Sequence, residues 1–436
     1  MLTQEQNNTL TQTGPGTPMG DLFRRYWMPA LHDYELPEPD CPPVRVKLLG
    51  ERLIAFRDTQ NRIGLMDEFC AHRGVSLWFG RNEESGLRCP YHGWKYDVTG
   101  QCTELPSEGA DADGGKGPMC KRIKLKSYPC IEQGGVIWTY MGPPELKPAP
   151  PALEWTLVSP RQRYASKRLQ ECNYLQAIEG GIDSSHVSFL HGGALKTDPL
   201  FKGSKGNEYN DHDRMPFFEV ADFPGGLLIG ARRNVTDNPE RYYWRITPFI
   251  MPSHSIIPPR AGHPLGGHVW VPIDDENCWA WSINYHPKRD LSEAEVNAMK
   301  DGKGIHVKYT PGTFTPLQNK TNDYLMDRAA QKAGVHYSGI EGIAMQDASL
   351  QESMGATQDR TKENLCPTDR GVVMMRRLLQ QTAEANRAGA GQALPGLDPK
   401  EQHVRSCSLL LPKEQAFKDH ARHGLFPPLG TDPITV

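Results

Sequence analysis

The sequence predicts an α+β protein in which a small all-β domain precedes a larger α+β domain with a curved, helix-grip-like antiparallel sheet. Short strand-like segments separated by turn residues fill residues 44–140 and predict the all-β domain. The proline-rich segment 141–151 allows neither a helix nor a central strand, so it marks a boundary. Strand-like segments within residues 217–285 predict the second sheet. The expected divisions are an N-terminal helical segment at 1–40 packed on the second domain, a first domain at 41–150 and a second domain at 151–436.

Composition narrows the class of protein. The chain has 436 residues, enough for two domains of ordinary size, and a net charge of -3, which gives no basic field for nucleic acid. No apolar run approaches the ~18 residues that a membrane span needs. The first residues lack the basic start and apolar middle of a signal peptide, and the ten cysteines show no paired spacing typical of disulfides. The sequence therefore predicts a cytoplasmic protein with reduced thiols.

Local signals place individual elements along the chain. A polar helix is expected first, up to the Gly-Pro-Gly break at residues 14–16, and a short amphipathic helix follows at residues 19–27. The glycine-rich segment 108–117 predicts an exposed loop in the first domain. In the second domain a helix is expected at residues 168–179, and a capping box that begins at Ser292 starts another.

Two short loops of the first domain each offer one thiolate and one imidazole, with Cys-x-His spacing in one loop and Cys-x-x-His spacing in the other. This is the ligand set of a Rieske 2Fe-2S cluster, in which two cysteines hold one iron and two histidines hold the other. Zinc is the alternative, although zinc modules usually pair cysteine with cysteine and histidine with histidine. The four candidate ligands are Cys70, His72, Cys89 and His92.

A second group of candidate ligands follows the proline-rich segment. Asp183 and His186 are three residues apart and are expected to share a helix face, whereas His191 lies about 140° further round. Both imidazoles can bind one metal if the helix ends near His191, and the two glycines after it supply such an end. The alternative is that both histidines are packed or solvated. A one-electron carrier in the first domain needs an acceptor, which favours a metal site.

On these three motifs the chain resembles the large (α) subunits of the Rieske non-haem iron aromatic ring-hydroxylating oxygenases over nearly its whole length. The Gly-Thr-Pro-Met-Gly segment at 16–20, the Arg-Arg-Tyr-Trp run at 24–27 and the single-subunit length are most similar to the phthalate dioxygenase group. One departure is the segment Glu179-Gly180-Gly181, where many members have Glu-Asn. Room for substrate, a distorted helix and loop packing are all possible reasons for these glycines.

The resemblance implies a mononuclear Fe(II) held by His186, His191 and a carboxylate from a later helix. Asp347, which follows a glutamine, is the expected third ligand. Glu352 is the alternative. Two further carboxylates with this potential are Asp323 and Asp327.

The family implies an oxygenase component that receives electrons from a separate NADH-dependent reductase carrying flavin and a 2Fe-2S centre. The chain has no GxGxxG fingerprint or P-loop, in agreement with hydride chemistry on a partner. Asp183 is implied to link a cluster histidine of one subunit to an iron-binding histidine of its neighbour, in a homotrimer or stacked hexamer. A helix cap or a surface carboxylate is its alternative role.

The implied reaction uses O2 to cis-dihydroxylate an aromatic carboxylate, such as phthalate, isophthalate or a substituted benzoate. One alternative is O-demethylation of a methoxylated aromatic acid, which releases formaldehyde. An alternative from a different class is a Rieske electron carrier that has no second iron.

Arg245 is the candidate substrate-binding residue. If its neighbours Trp244 and Ile246 face one side of a strand, Arg245 faces the other, and an inward arginine needs an anionic partner. A guanidinium can hold a substrate carboxylate by two parallel hydrogen bonds. The alternatives are that Arg245 faces solvent or a structural carboxylate.

Overall fold

The structure, a computed structural model, describes residues 1–108, 117–389 and 393–436. The predicted loop at 108–117 lies outside the described residues apart from its two ends. The chain divides into two compact units. The first, which we call the β unit, contains residues 14–16 and 23–150, and the second, the α/β unit, contains residues 1–13, 17–22 and 151–436. No helix in the described chain combines the length and the apolar character required to cross a membrane.

The described chain contains eighteen strands and fourteen α-helices. The strands are β1 (Trp27–His32), β2 (Val44–Leu48), β3 (Glu51–Arg57), β4 (Ile63–Asp67), β5 (Arg81–Glu83), β6 (Gly86–Arg88), β7 (Lys95–Tyr96), β8 (Cys102–Glu104), β9 (Cys130–Gln133), β10 (Val136–Tyr140), β11 (Arg163–Gln170), β12 (Phe217–Phe223), β13 (Gly226–Asn234), β14 (Arg241–Ile250), β15 (His254–Ile257), β16 (Leu265–Pro272), β17 (Cys278–Tyr285) and β18 (Cys407–Pro412). The α-helices are α1 (Gln4–Thr11), α2 (Pro18–Phe23), α3 (Pro118–Arg122), α4 (Glu154–Leu157), α5 (Tyr174–Ile182), α6 (Val187–Leu190), α7 (Ala194–Thr197), α8 (Lys205–His212), α9 (Glu293–Lys300), α10 (Arg328–Lys332), α11 (Ile343–Ser353), α12 (Arg370–Ala388), α13 (Phe417–His420) and α14 (Arg422–Leu425).

The β unit consists of three small antiparallel sheets, in the orders β1-β10-β9, β2-β3-β4 and β5-β6-β7-β8. Its core packs large side chains such as Phe56 and Trp94 around the sulfur atoms of Cys70 and Cys89. The predicted all-β character of this region is therefore confirmed, and the candidate cluster cysteines lie in its hydrophobic core.

The amphipathic helix predicted at residues 19–27 is shorter than expected. Helix α2 ends at Phe23, and from Trp27 the chain forms strand β1, which pairs with β10. Pro29 lies inside this strand, where its missing N–H is tolerated because β1 is at the edge of the sheet. Pairing with β10 outweighs the local helical pattern.

The α/β unit is built on one antiparallel sheet of eight strands in the order β11-β17-β16-β15-β14-β13-β12, with β18 added beside β14. Helix α5 packs against β15 and β16 on one side and against α11 on another. Sheet and helices are thus separate layers, and the predicted α+β class is confirmed.

The helix predicted at residues 168–179 begins later than expected. Residues up to Gln170 belong to β11, which pairs with β17 along its whole length. Helix α5 starts at Tyr174, after the Asn173 side chain accepts a hydrogen bond from the Leu175 backbone N–H. The first residues of the predicted helix therefore belong to a paired strand, and the helix begins after an N-cap residue of an ordinary type.

A buried ion pair ties the C-terminal region to the start of the α/β unit. Arg405 donates to both carboxylate oxygens of Glu154, and both side chains are almost fully buried. The hydroxyl of Tyr285 donates to the same carboxylate at 3.0 Å. Burial of the Glu154 carboxylate costs free energy, and the hydrogen bonds from Arg405 and Tyr285 offset this cost.

We expect Arg405→Met to lower the free energy of unfolding by about 3–5 kcal/mol, because Glu154 would remain buried without its cation. Guanidinium denaturation checks this. Lys288→Met is the matched control, since it removes an ion pair with Asp432 in which both side chains are exposed, and we expect a much smaller change. Equal effects of the two substitutions would contradict the analysis.

Candidate metal centres and the adjoining cavity

Two loops of the β unit bring the four predicted cluster ligands together in pairs. One loop follows β4, and the other joins β6 to β7. Cys70 and Cys89 are buried, whereas His72 and His92 are exposed. The Nδ1 atoms of the two histidines lie 3.0 Å apart, so both can approach one metal ion.

The two loops have the same backbone turn. The Gly74 N–H donates to the Cys70 carbonyl at 2.9 Å, and the Gly93 N–H donates to the Cys89 carbonyl at 3.0 Å. These glycines have φ values of 72° and 77°, which residues with a side chain rarely adopt. Burial raises the pKa of Tyr96, so its hydroxyl keeps its proton 3.2 Å from the Cys70 sulfur and can donate to a thiolate there.

The spacing of these donors favours a two-iron cluster over a single zinc ion. A tetrahedral zinc site gathers its ligand atoms around one point. In the part of the chain that the structure describes, one group of side chains has three potential ligand atoms within 4.8 Å of one another. The four predicted cluster ligands are not in that group. Buried thiols at one end and exposed imidazoles at the other suit a cluster with two separate irons.

That one group lies in the α/β unit and consists of His186, His191 and Asp347. The Nε2 atoms of the two histidines are 3.2 Å apart. One oxygen of Asp347, Oδ1, lies 3.2 Å from Nε2 of His191 and 3.4 Å from Nε2 of His186. Two imidazoles and one carboxylate that converge in this way form the donor set typical of non-haem Fe(II) sites.

Both histidines lie in the segment that follows α5, and their positions relative to the helices differ from those expected. Asp183 caps the end of α5, and His186 lies just before the short helix α6, which His191 follows. Asp183 and His186 therefore do not share a helix, and the prediction of a common helix face is wrong. A two-residue turn through Ser184 and Ser185 brings them together instead, because the Ser185 backbone N–H donates to the Asp183 carboxylate at 2.7 Å.

Each imidazole has an oxygen acceptor on its other nitrogen. Nδ1–H of His186 donates to Asp183 at 3.2 Å, and Nδ1–H of His191 donates to the side-chain oxygen of Gln346 at 2.8 Å. These bonds fix the ring orientation and leave both Nε2 atoms available for a metal.

The electrostatics of this group favour a bound cation. Burial alone would raise the pKa of Asp347, but His191 and His186 lower it to about 2. Burial likewise opposes ionisation of Asp183, yet its hydrogen bonds from His186 and Ser185 hold its pKa below the ordinary value. Both carboxylates are therefore ionised at neutral pH and offer two negative charges to the site.

The other carboxylates considered from the sequence lie outside this group. Glu352 accepts hydrogen bonds from the Tyr324 hydroxyl at 2.6 Å and the Glu171 backbone N–H at 3.0 Å. Asp327 caps α10 by accepting from two backbone N–H groups, and Asp323 lies in the turn before it. Their hydrogen bonds give Glu352 and Asp327 structural roles.

A cavity adjoins the three converging side chains and is also lined by Arg245. This arginine lies on β14 and is 4% exposed, so it does not face solvent. Its Nε and Nη1 atoms have no hydrogen-bond partner, and no carboxylate pairs with it among the described residues. Apolar side chains, including Leu195, Phe201 and Ile305, line other parts of the cavity.

Comparison with known proteins assigns the family. Residues 26–129 match the family described as Rieske 2Fe-2S domain, and residues 139–424 match the family described as LigXa C-terminal domain like. The chain is 36% identical to the 3-chlorobenzoate-3,4-dioxygenase oxygenase subunit of Comamonas testosteroni, with 95% of this chain and 96% of that protein covered. The chain belongs to the Rieske non-haem iron aromatic ring-hydroxylating oxygenases. It is also 35% identical to the phthalate 4,5-dioxygenase oxygenase subunit of Pseudomonas putida, over 96% of this chain and 95% of that protein.

Solved structures agree with this fold. The oxygenase is similar to dicamba monooxygenase bound to dicamba, with a TM-score of 0.57 and 18% identity over 84% of this chain and 99% of that chain. It is similar to NdmA of Pseudomonas putida CBB5 with caffeine, with a TM-score of 0.58 and 18% identity over 92% of this chain and 100% of that chain.

Family membership confirms the predicted enzyme class and cofactors. The oxygenase is an oxidoreductase with a Rieske 2Fe-2S domain, and its family uses mononuclear iron at the catalytic site. The donor sets described above suit both groups, since two thiols with two imidazoles and two imidazoles with a carboxylate are their ordinary ligands.

The two glycines that depart from the family pattern are explained by close packing. A Cβ atom at Gly181 would lie 2.1 Å from Cη2 of Trp270, and one at Gly180 would lie 2.2 Å from Nε2 of Gln351. Gln351 is held in place because it accepts a hydrogen bond from Gln170 at 2.6 Å. Neighbouring side chains in the oxygenase thus already fill the space that a larger residue would need.

Sequence reasoning did not single out three residues that the structure places at this site. Gln346 orients His191, and its position beside Asp347 was the available signal. Arg260 and His268 line the cavity, but no motif or periodicity identified them.

Proposed function

We propose that this oxygenase component cis-dihydroxylates an aromatic carboxylate of the phthalate type, such as phthalate, isophthalate or a substituted benzoate. The observation that carries the proposal is the buried guanidinium of Arg245, which has no carboxylate partner among the described residues and lines the cavity beside the candidate iron ligands. A buried cation needs an anion, and an aromatic acid provides one together with a ring for the apolar walls. The relatives named for 3-chlorobenzoate and phthalate act on molecules of this kind.

O-demethylation of a methoxylated aromatic acid is the second candidate. The chain is 32% identical to the 5,5'-dehydrodivanillate O-demethylase oxygenase subunit of Sphingobium sp., over 86% of this chain and 79% of that protein. The same cavity and the same arginine would bind such an acid. The two reactions are therefore distinguished by their products and not by the residues of the site.

We propose separate ligand sets for the two iron centres. Two imidazoles and one carboxylate would hold ferrous iron for chemistry with dioxygen, and two thiolates with two imidazoles would hold a 2Fe-2S cluster for one-electron transfer. The corresponding functional domains are residues 41–150 and residues 151–436, and the N-terminal helical segment at 1–40 is proposed to pack on the second of them. The proposed mononuclear ligands are His186, His191 and Asp347, and the proposed cluster ligands are Cys70, His72, Cys89 and His92.

Asp347→Ala is expected to abolish binding of the mononuclear iron, because Asp347 supplies a carboxylate oxygen near both Nε2 atoms. Iron analysis should fall from about three to about two atoms per chain, while the visible spectrum of the cluster is unchanged. Glu352→Gln is the control and should keep all the iron. Retention of the iron in Asp347→Ala would transfer the ligand role to Glu352, and about two irons in the unaltered protein would support an electron carrier.

Asp183 is proposed to couple electron transfer to the position of the proton that it shares with His186. Its carboxylate accepts from Nδ1–H of His186, so it can hold or release that proton when the charge on the imidazole changes. Asp183 also lines a second cavity of about 270 Å³, which is lined in addition by the exposed side chains of Leu350, Met354 and Leu365.

Exposed apolar groups support assembly of several chains. In the β unit, His72 and His92 are exposed, and so are the aromatic side chains of Trp78, Phe79 and Tyr91. Apolar groups of this kind often mark protein interfaces. We propose a homotrimer, or a stacked hexamer, in which Asp183 of one chain bridges a cluster histidine of its neighbour and its own His186, so that an electron would pass between the two imidazoles. A separate NADH-dependent flavin and 2Fe-2S reductase would be the donor, in the cytoplasm.

Asp183→Asn should slow reoxidation of the reduced cluster by orders of magnitude, since the amide keeps the shape but loses the negative charge that holds the His186 proton. Stopped-flow absorbance of the cluster under oxygen measures this rate, and iron content should remain at the unaltered level. The control is Asp222→Asn, which changes an exposed carboxylate on β12. An unchanged reoxidation rate would rule out the role of Asp183.

Arg245→Met should raise KM for the aromatic acid by at least about tenfold, or ~1.4 kcal/mol, with both iron centres intact. Oxygen uptake with a suitable reductase, measured over the phthalate isomers and a set of methoxybenzoates, tests the residue and the reaction together. Arg214→Met, at an exposed arginine, is the control.

The products separate the candidate reactions. A cis-dihydrodiol formed with uptake of O2 supports dihydroxylation, whereas formaldehyde shows demethylation. Unchanged kinetics in Arg245→Met would remove this residue from the substrate site. A preference for uncharged aromatics would overturn the anionic substrate itself.

A further inference from the structure

The cavity beside the candidate iron ligands contains a second buried arginine, Arg260, which is 4% exposed. It follows β15 after two prolines. The hydroxyls of Ser406, just before β18, and Ser408, on β18, donate to backbone carbonyls of residues 257 and 259 at 2.7 and 2.8 Å. The backbone that carries Arg260 is therefore anchored to the sheet.

A hydrogen bond and an aromatic ring hold the guanidinium of Arg260 in place. Its Nε–H donates to the side-chain oxygen of Asn207 at 2.8 Å. The Asn207 amide in turn donates to the carbonyls of Phe201 and Leu195 at 2.8 and 3.2 Å, which fixes its orientation. The Arg260 Cζ atom also lies 4.6 Å from the centre of the Phe201 ring. Both terminal amino groups have no hydrogen-bond partner among the described residues, so they remain available to an occupant of the cavity.

Two buried arginines give the lining of the cavity positive charge. Burial lowers the pKa of Arg260 to about 9, and the neighbouring charge of Arg245 contributes to the same shift. Neither arginine has a carboxylate partner in the described chain, whereas a third buried arginine, Arg233, is bonded to the carbonyl and hydroxyl of Ser184. The two carboxylates that line the cavity, Asp183 and Asp347, are engaged by histidines.

We propose that Arg245 and Arg260 form two anion subsites and that the oxygenase selects an aromatic dianion, such as a benzenedicarboxylate, over a monocarboxylate. This inference rests on the proposed function and specifies its substrate class. A single carboxylate would leave one of two buried guanidiniums without a counter-ion. Two carboxylates on a rigid ring can each accept paired N–H bonds from one arginine. Phe201, Leu195 and Ile305 supply apolar surface for the ring.

Anaerobic isothermal titration of the loaded oxygenase with benzoate, the three benzenedicarboxylates and the monomethyl ester of the tightest diacid tests the proposal. The ester keeps the shape of the diacid and removes one charge. We expect the diacid to bind at least about tenfold more tightly than its ester or benzoate, or ~1.4 kcal/mol.

Arg260→Met should remove this preference. The affinity for the diacid should fall by about tenfold to that of the ester, while the Kd of the ester changes less than about threefold. Arg245→Met should weaken binding of the diacid as well. Arg214→Met, at an exposed position, is the control and should bind all the acids as the unaltered protein does.

The outcomes distinguish this inference from the function on which it rests. If the ester binds the unaltered protein as tightly as the diacid, the second anion subsite is wrong while the proposed reaction on an aromatic acid stands. This comparison uses the unaltered protein alone, so it does not depend on whether a variant folds. Equal losses for the diacid and the ester in Arg260→Met would also overturn the second subsite. If none of the acids binds, the proposed function itself fails.

Discussion

The site depends on one constraint, which is that donor atoms from distant parts of the chain converge on one point. Gln346, the residue before Asp347, stands 155 residues after His191 in the sequence. Packing of α11 against α5 brings the carboxylate to the imidazoles. This packing is close, since Gly181 leaves just enough space for the Trp270 ring. Helix packing at this point therefore sets the geometry of the proposed iron site.

Charges of both signs line the cavity beside the candidate iron ligands. Asp347 lies beside imidazoles, which hold its pKa at about 2. Arg245 and Arg260 lack carboxylate partners in the described chain. Buried charges are costly when they are unpaired. A metal cation beside the carboxylate and an anionic substrate beside the arginines would neutralise these charges, so the two ligands have complementary electrostatic roles.

Local sequence signals were reliable where one short segment decides the structure. The Cys/His loops were recognised because their ligands are neighbours in the sequence and their glycines, such as Gly74 and Gly93, have backbone conformations that glycine favours. The signals failed where strand pairing competed with a helical pattern. Residues 168–170 pair with β17, and residues from Trp27 pair with β10, although both segments have helix-like sequences. Such pairings depend on residues far away in the chain.

Residue chemistry, spacing and resemblance are sufficient to predict the family, the α+β class, the two kinds of iron centre and Asp347 as the expected partner of the histidines. The position of the alternative, Glu352, depends on packing between distant segments, which bonds it to Tyr324 and leaves Asp347 beside His186 and His191. Tertiary structure also decided that Arg245 is buried without a carboxylate partner among the described residues, and it brought Arg260 to the same cavity. The physical reason is that burial and charge pairing depend on neighbours that are remote in sequence.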